Sequence, residues 1–281
     1  MIARLWLMIV FTMSVSVAAS KISVHGHRGA RGVLPENTLP AFEYAIYAGV
    51  DVLEMDLAVT KDNVLVISHD PTLLSMICTG PKPNAVIHEL TLEELRQYDC
   101  GSLKNPHFPK QKLVPGTRVP TLDEVLTMAA PSKVEFNIET KIFRDKPQYT
   151  PPPEEFARLV LNEIRKHHME SRVILQSFDF RTLHAMHKLA PEIRLSALYE
   201  GAPKDFVKIA QEAGAGIISP HYSLVSREQV EAAHKAQLQV VPWTANTRAD
   251  WDKLVAAGVD AIISDYPAEL IAYLKSLSRS H

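Results

Sequence analysis

The strongest constraint on this chain is a rhythm. Short runs rich in Val and Ile alternate with amphipathic segments from Lys21 almost to the C-terminus. "KISVHGHRG", "VDVLEMD", "KVEFNIETK", "RVILQSF", "IRLSALYE", "GIISP", "LQVVPWTAN" and "VDAIISD" read as strands, with segments of helical periodicity between and after them. Several of these runs are apolar on both faces, which suits a parallel sheet covered by helices. Eight strand–helix units within 281 residues predict an α/β fold, a closed (β/α)8 TIM barrel, over the alternative of a doubly wound open sheet. The last helix, "PAELIAYLKSL", should then pack beside the first.

Residues 1–20 stand outside that rhythm. Arg4 precedes the apolar run "LWLMIVFTMSVSV", and the small residues of "SVAAS" follow. This is the pattern of a secretory signal peptide, cleaved after Ala19 or Ser20. Residues 21–281 would then form the barrel domain of an exported protein, periplasmic or secreted, with no stable membrane insertion after cleavage. The net charge of −2 gives no basic field, so nucleic acid is not an expected partner. Cys78 and Cys100 both fall in one irregular stretch, where they either pair in an oxidising compartment or remain separate thiols.

One segment breaks the alternation. "VLVISHDP" is a further strand with no helix before it, and only "TKDN" separates it from "LEMDLAV". Asp62-Asn63 as a two-residue turn would make a hairpin in which Lys61 faces Val64 and Asp56 faces His69. Residues 71–118 then read as an insertion with one short helical piece, "TLEELRQY". An insertion at the C-terminal end of a barrel strand lies over the active-site face, so this one should cap the mouth.

Polar residues gather at the strand ends. The first strand ends in His27 and Arg28, the second carries Glu54 and Asp56, and the hairpin returns His69 and Asp70. Glu139 and Lys141 follow on the third, and Gln176, Ser177, His221, Trp243, Asn246 and Asp265 on later strands. Residues two apart in a strand share a face, so Glu54 with Asp56, and Glu139 with Lys141, point into the same space. Three converging carboxylates repel unless a cation joins them, and an oxygen-only set favours Ca2+ or Mg2+ over zinc. His27 and His69 are candidate general acid and base, and Arg28 and Lys141 carry charge suited to phosphate oxygens. That combination describes phosphoester cleavage. A glycosidase uses a carboxylate pair without this crowd of cations, and no G-x-S-x-G nucleophile elbow occurs. Asn37-Thr38 is placed to cap the first helix, and Glu36 faces the mouth, where it either helps the metal or hydrogen-bonds a neighbour.

These motifs resemble the glycerophosphodiester phosphodiesterase family. The stretch "GHRGARGVLPENTLPAFEYAIYAGVDVLEMDLAVTKDNVLVISHDPTL" carries HRG, PENT, E-x-D, T-K-D and HD in the family's order, with Asp-Asn where the family usually has Asp-Gly. "VPTLDEVL", "FNIETK", "LQSFD", "PWTAN" and "AIISDYP" look like its later motifs. The resemblance implies a (β/α)8 barrel that hydrolyses glycerophosphodiesters to sn-glycerol 3-phosphate and an alcohol. It implies catalytic His27 and His69, a divalent cation on Glu54, Asp56 and Glu139, and Arg28 and Lys141 on the phosphate. Gln176, Trp243 and Asn246 complete the expected substrate contacts. Two rivals are a phospholipase D acting on lysolipids, which shares this barrel, and a binding protein without turnover. The polar "NPHFPKQK" of the insertion speaks against a lipid-facing mouth, and an acid–base histidine pair is superfluous to mere binding.

Overall fold

The computed structural model describes residues 21–279. β1 (Ser23–Gly26) leads through a loop to α1 (Leu39–Ala48). β2 (Val52–Val59) folds back as β3 (Leu65–Ile67), and an irregular stretch holding α2 (Leu92–Leu95) precedes α3 (Leu122–Ala129). Strands and helices then alternate: β4 (Glu135–Thr140), α4 (Pro153–Lys166), β5 (Val173–Ser177) and α5 (Phe180–Leu189). β6 (Arg194–Tyr199), α6 (Phe206–Ala213), β7 (Ile217–Pro220) and α7 (Arg227–Lys235) follow. β8 (Gln239–Val240), α8 (Arg248–Ala257), β9 (Ala261–Ser264) and α9 (Pro267–Ser278) complete the chain.

The strands lie in the order β8-β7-β6-β5-β4-β2-β1-β9, all parallel, with β3 antiparallel on β2. Backbone hydrogen bonds from Asp260 N to Val240 O (3.1 Å) and Ile263 N to Pro242 O (3.0 Å) join β9 to the β8 segment and close the ring. The fold is the (β/α)8 barrel that the alternation predicts. Local chemistry sets the helix ends. Thr121 with Glu124 and Thr247 with Asp250 form reciprocal capping boxes, and Gly49, Gly214 and Gly258 terminate α1, α6 and α8 at φ of 92°, 65° and 84°. α9 packs beside α1 as expected. Inside the barrel Ile174, Ile217, Val241, Ala261 and Ile263 form an apolar plug, so the interior is a packed core and the polar residues collect above it.

The hairpin differs from the sequence expectation by one residue. Leu57 pairs with Ile67 and Val59 with Leu65, so Ser68, not His69, faces Asp56; Ser68 N donates to Asp56 O at 2.9 Å. The turn has three residues, Lys61 to Asn63, between Thr60 and Val64, and Asn63 takes the left-handed position at φ 61°. Asn tolerates that conformation, and a three-residue turn of this kind shifts the register by one relative to a two-residue turn.

The stretch after β3 has its own small core. Leu73, Ile87, Leu95 and Tyr98 pack on Ala58 and Val66 of the hairpin, and a Cys78–Cys100 disulfide ties the segment together. Its far end lies on the loop after β1. Gln111 Nε2 donates to Arg31 O and Leu34 O, both at 2.8 Å, and the Arg31 guanidinium sits 4.8 Å from the Phe108 ring centroid. The apolar run within residues 1–20 lies outside the described residues. Among the described residues no helix is long and apolar enough to cross a membrane.

Candidate active site

The site is built at the C-terminal ends of the strands. Beyond β1 the chain turns sharply, with positive φ at Arg28 (48°) and Gly29 (82°). A side chain at Gly29 would meet the Ala41 backbone at 2.7 Å, so glycine is what lets this turn lie against α1. The turn aims His27 and Arg28 into the mouth together, and Arg28 N donates to Glu54 Oε2 at 2.9 Å.

β2 and β4 supply the carboxylates. Glu54, Asp56 and Glu139 are buried, and one oxygen from each lies within 4.8 Å of the others. Two cations hold this cluster. Arg28 Nε lies 3.1 Å from Asp56 Oδ2, and Lys141 Nζ lies 3.1 Å from Asp56 Oδ1 and 2.8 Å from Glu139 Oε1. Asn37 Nδ2 adds a bond to Asp56 Oδ2 at 2.9 Å, and Gln176 Nε2 donates to Glu54 Oε1 at 2.8 Å.

The electrostatics follow from this geometry. Burial, then the charge of Asp56, pushes the Glu54 carboxyl well above the usual range. Burial likewise raises Glu139, against the pull of Lys141, to about 7. Burial alone would raise Asp56 too, but Lys141 and Arg28 outweigh it and hold Asp56 well below the usual range. Three buried carboxylates against two fixed cations leave a demand for positive charge, and their oxygen-only donor set fits a hard divalent ion.

His27 and His69 line one cavity of about 260 Å³ with Arg28, Glu139 and Lys141. His27 Nδ1 lies 2.5 Å from Asp265 Oδ1, and its Nε2 is 3.9 Å from Glu54 Oε2. Asp265 is itself held by Asn246 Nδ2 at 2.7 Å. Burial pulls the His27 pKa down against the opposing charge of Asp265, so the ring is neutral near neutral pH. A carboxylate on Nδ1 fixes the tautomer that leaves Nε2 as the free base. His69 is half-buried, with Nδ1 3.3 Å from Asp70 Oδ2.

The structure thus gathers His27, His69, Glu54, Asp56, Glu139, Arg28, Lys141, Gln176 and Trp243 at one mouth. Gln176 lines the cavity floor, but both ends of its amide are engaged, by Asn137 and Glu54. Asn246 bonds Asp265 rather than lining the cavity. Trp243 forms a wall, its Nε1 bonded to Ser219 O at 2.9 Å, with His221 edge-on at 5.4 Å. His25 shares the face of His27 but sits two residues deeper, where burial pulls its pKa to about 3. Glu36 is spent on Arg28 and Arg31, each at 2.6 Å, and lies outside the carboxylate cluster.

Two residues were missed as partners by sequence reasoning. Asn37, expected as a helix cap, has φ 57° and reaches Asp56; Thr38 occupies the cap position, but its hydroxyl donates to Pro35 O at 2.6 Å. Asp265 was one of many strand-end polar groups, yet the β1–β9 register, Gly26 opposite Ser264, places the next residues, His27 and Asp265, side by side.

Residues 27–269 match the model of the glycerophosphoryl diester phosphodiesterase family. The chain belongs to that family. A glycerophosphodiester phosphodiesterase of Caldanaerobacter subterraneus subsp. tengcongensis is 32% identical over 251 residues, covering 89% of this chain and 97% of that protein. Among solved structures, a protein from Silicibacter pomeroyi DSS-3 assigned to the glycerophosphoryl diester phosphodiesterases superposes with a TM-score of 0.86 at 30% identity, covering 93% of this chain and 95% of that one. An Oleispira antarctica phosphodiesterase, solved in complex with the product sn-glycerol-3-phosphate, gives a TM-score of 0.78 at 26% identity, covering 90% and 96%. Family membership makes the chain a phosphodiesterase of the glycerophosphodiester class.

Proposed function

We propose that the chain hydrolyses glycerophosphodiesters to sn-glycerol 3-phosphate and an alcohol, with His27 and His69 as its acid–base pair. The observation that carries this reading is the meeting of both imidazoles with the carboxylate cluster, Arg28 and Lys141 around one cavity. Glu54, Asp56 and Glu139 would hold a divalent cation, Ca2+ or Mg2+, which when bound stabilises negative charge on the phosphate oxygens. Arg28 and Lys141 add fixed positive charge at the same place. His27, neutral and oriented by Asp265, takes the proton of the attacking oxygen, either from water, or from the substrate's own glycerol 2-hydroxyl to give a cyclic phosphate that water then opens to sn-glycerol 3-phosphate. Asp265 then stabilises the imidazolium that forms. His69, oriented by Asp70 from the hairpin side, protonates the departing alkoxide. Gln176 and Asn246 act in this scheme by fixing Glu54 and Asp265, and Trp243 shapes the substrate pocket.

We propose in addition that residues 71–118 cap the mouth and that residues 1–20 direct export. The Cys78–Cys100 bond supports the second reading, because disulfides persist in oxidising compartments.

Incubation with glycerophosphocholine and glycerophosphoethanolamine, with sn-glycerol 3-phosphate as the readout, tests the reaction. Release from either, and no release of choline from intact lysophosphatidylcholine, is the expected result. Cleavage of the lysolipid alone would transfer the chain to the phospholipase D reading, and binding without release to the binding-protein reading.

A further inference from the structure

The cavity is divided chemically. His27, Arg28 and Arg31 line it from the end of β1, and Lys141 from beyond β4. In the closed ring β6 stands directly across from β1. The wall on that side holds no cation: Phe178 after β5, Leu198 on β6, Glu200 just past it and Trp243 after β8.

This second wall is held in place. Phe178 and Trp243 meet edge to face, centroids 5.5 Å apart and planes at 87°, forming a two-sided aromatic corner. Phe178 is 41% exposed, unusual for so large an apolar side chain beside a polar site. Glu200 is exposed and precedes a bend, where the Tyr199 hydroxyl donates to Ala202 O at 2.6 Å and Gly201 has φ 110°. The Glu200 carboxylate has no hydrogen bond or ion pair with any described residue. Every other carboxylate lining the cavity is bonded to an arginine, a lysine or an amide.

We infer that Phe178, Trp243 and Glu200 form a subsite for a positively charged, ammonium-bearing alcohol group of the substrate. The inference rests on the diesterase reading for what occupies the opposite wall. With the phosphate at Arg28 and Lys141, one arm of the diester reaches toward β6. Aromatic faces attract an ammonium through the ring quadrupole, and a nearby carboxylate adds charge attraction. A neutral polyol arm gains neither, and an anionic arm is repelled by Glu200. The subsite therefore sets a preference for cationic over neutral or anionic alcohols.

Two diesters separate this from a merely solvated acid: glycerophosphocholine and glycerophosphoglycerol, which share the phosphate and one glycerol arm. The ratio of their kcat/KM values should favour choline in the wild type and fall about three- to tenfold in Glu200→Gln, and by a similar factor in Phe178→Leu. Glu200→Lys should invert it. A second readout needs no turnover. Tetramethylammonium chloride titrated against tryptophan fluorescence should bind the wild type more tightly than Glu200→Gln by the same factor. An unchanged substrate ratio together with unchanged tetramethylammonium binding would overturn the subsite. If no diester is turned over by the wild type, the diesterase reading fails, and the tetramethylammonium titration alone then decides the subsite.

Discussion

Glu54, Asp56 and Glu139 at the barrel mouth, and Asp123, Glu163 and His167 on the α3–α4 surface, each bring three metal-competent groups within 4.8 Å of one another. The surface group is satisfied by a lysine. Lys166 Nζ lies 2.6 Å from Asp123 and 2.9 Å from Glu163, and its hydrogen bond, with that of His167, holds Asp123 below its ordinary value. Water reaches the rest, since the Asp123 side chain is 46% exposed. At the mouth the same number of ligand groups is buried, and burial pushes two of the carboxyls up even with Arg28 and Lys141 in contact. The ligand count is equal. What separates a site from a solvated cluster is burial without full compensation, beside two imidazoles that line the same cavity.

The largest contrast should be catalytic. His27→Ala should lower kcat by about 10²- to 10⁴-fold, as loss of a proton-transfer group does. His167→Ala at the surface cluster should leave kcat unchanged. A His27→Ala enzyme with wild-type kcat in the same assay would remove the basis of the comparison.

The second contrast is in stability. Asp56→Ala strips a buried partner from Arg28, which is buried, and from Lys141, which is largely so, and this should cost about 3–5 kcal/mol in urea denaturation. Its counterpart, Asp123→Ala, breaks an exposed pair and should cost less than about 1 kcal/mol. Equal losses would show that burial does not distinguish the clusters.

The third sharpens the role of Asp265. Asp265→Asn keeps the shape but removes the charge on His27 Nδ1, and kcat should fall about 10- to 100-fold. As a positioning residue it should also move the pH profile of kcat/KM, which a purely structural role would not do. The smallest effect is expected at Asn246. Asn246→Ala removes two hydrogen bonds with Asp265, one to its carboxylate and one from its backbone N–H, and should lower kcat by less than about tenfold.

The barrel was legible because its cause is local and repeated. Strands buried on both faces and helices with one apolar stripe carry the pattern in every unit. The mouth residues were legible for a related reason: parallel strands end on one side, and residues two apart share a face. The misreadings have one origin, geometry that a single residue decides. Asn63 in the left-handed region lengthens the turn and moves Ser68 opposite Asp56. Asn37, with the same kind of φ, leaves the helix start and joins the carboxylates. Glu36 is no misreading, since the sequence leaves it open between the metal and a hydrogen-bonded neighbour; it takes the second role, on Arg28, Arg31 and Asn105, the last 69 residues away, a contact that no local pattern announces. Asp265 was within reach, since closing the ring sets β9 beside β1.

The most direct measurement is metal titration of the chelator-stripped protein, with sn-glycerol 3-phosphate release from glycerophosphoethanolamine as the signal and Glu139→Gln as the control. The account predicts no release in chelator, recovery as Ca2+ or Mg2+ is added, and little recovery in the Glu139→Gln variant. Full turnover in the presence of chelator, or equal recovery in the variant, would contradict it.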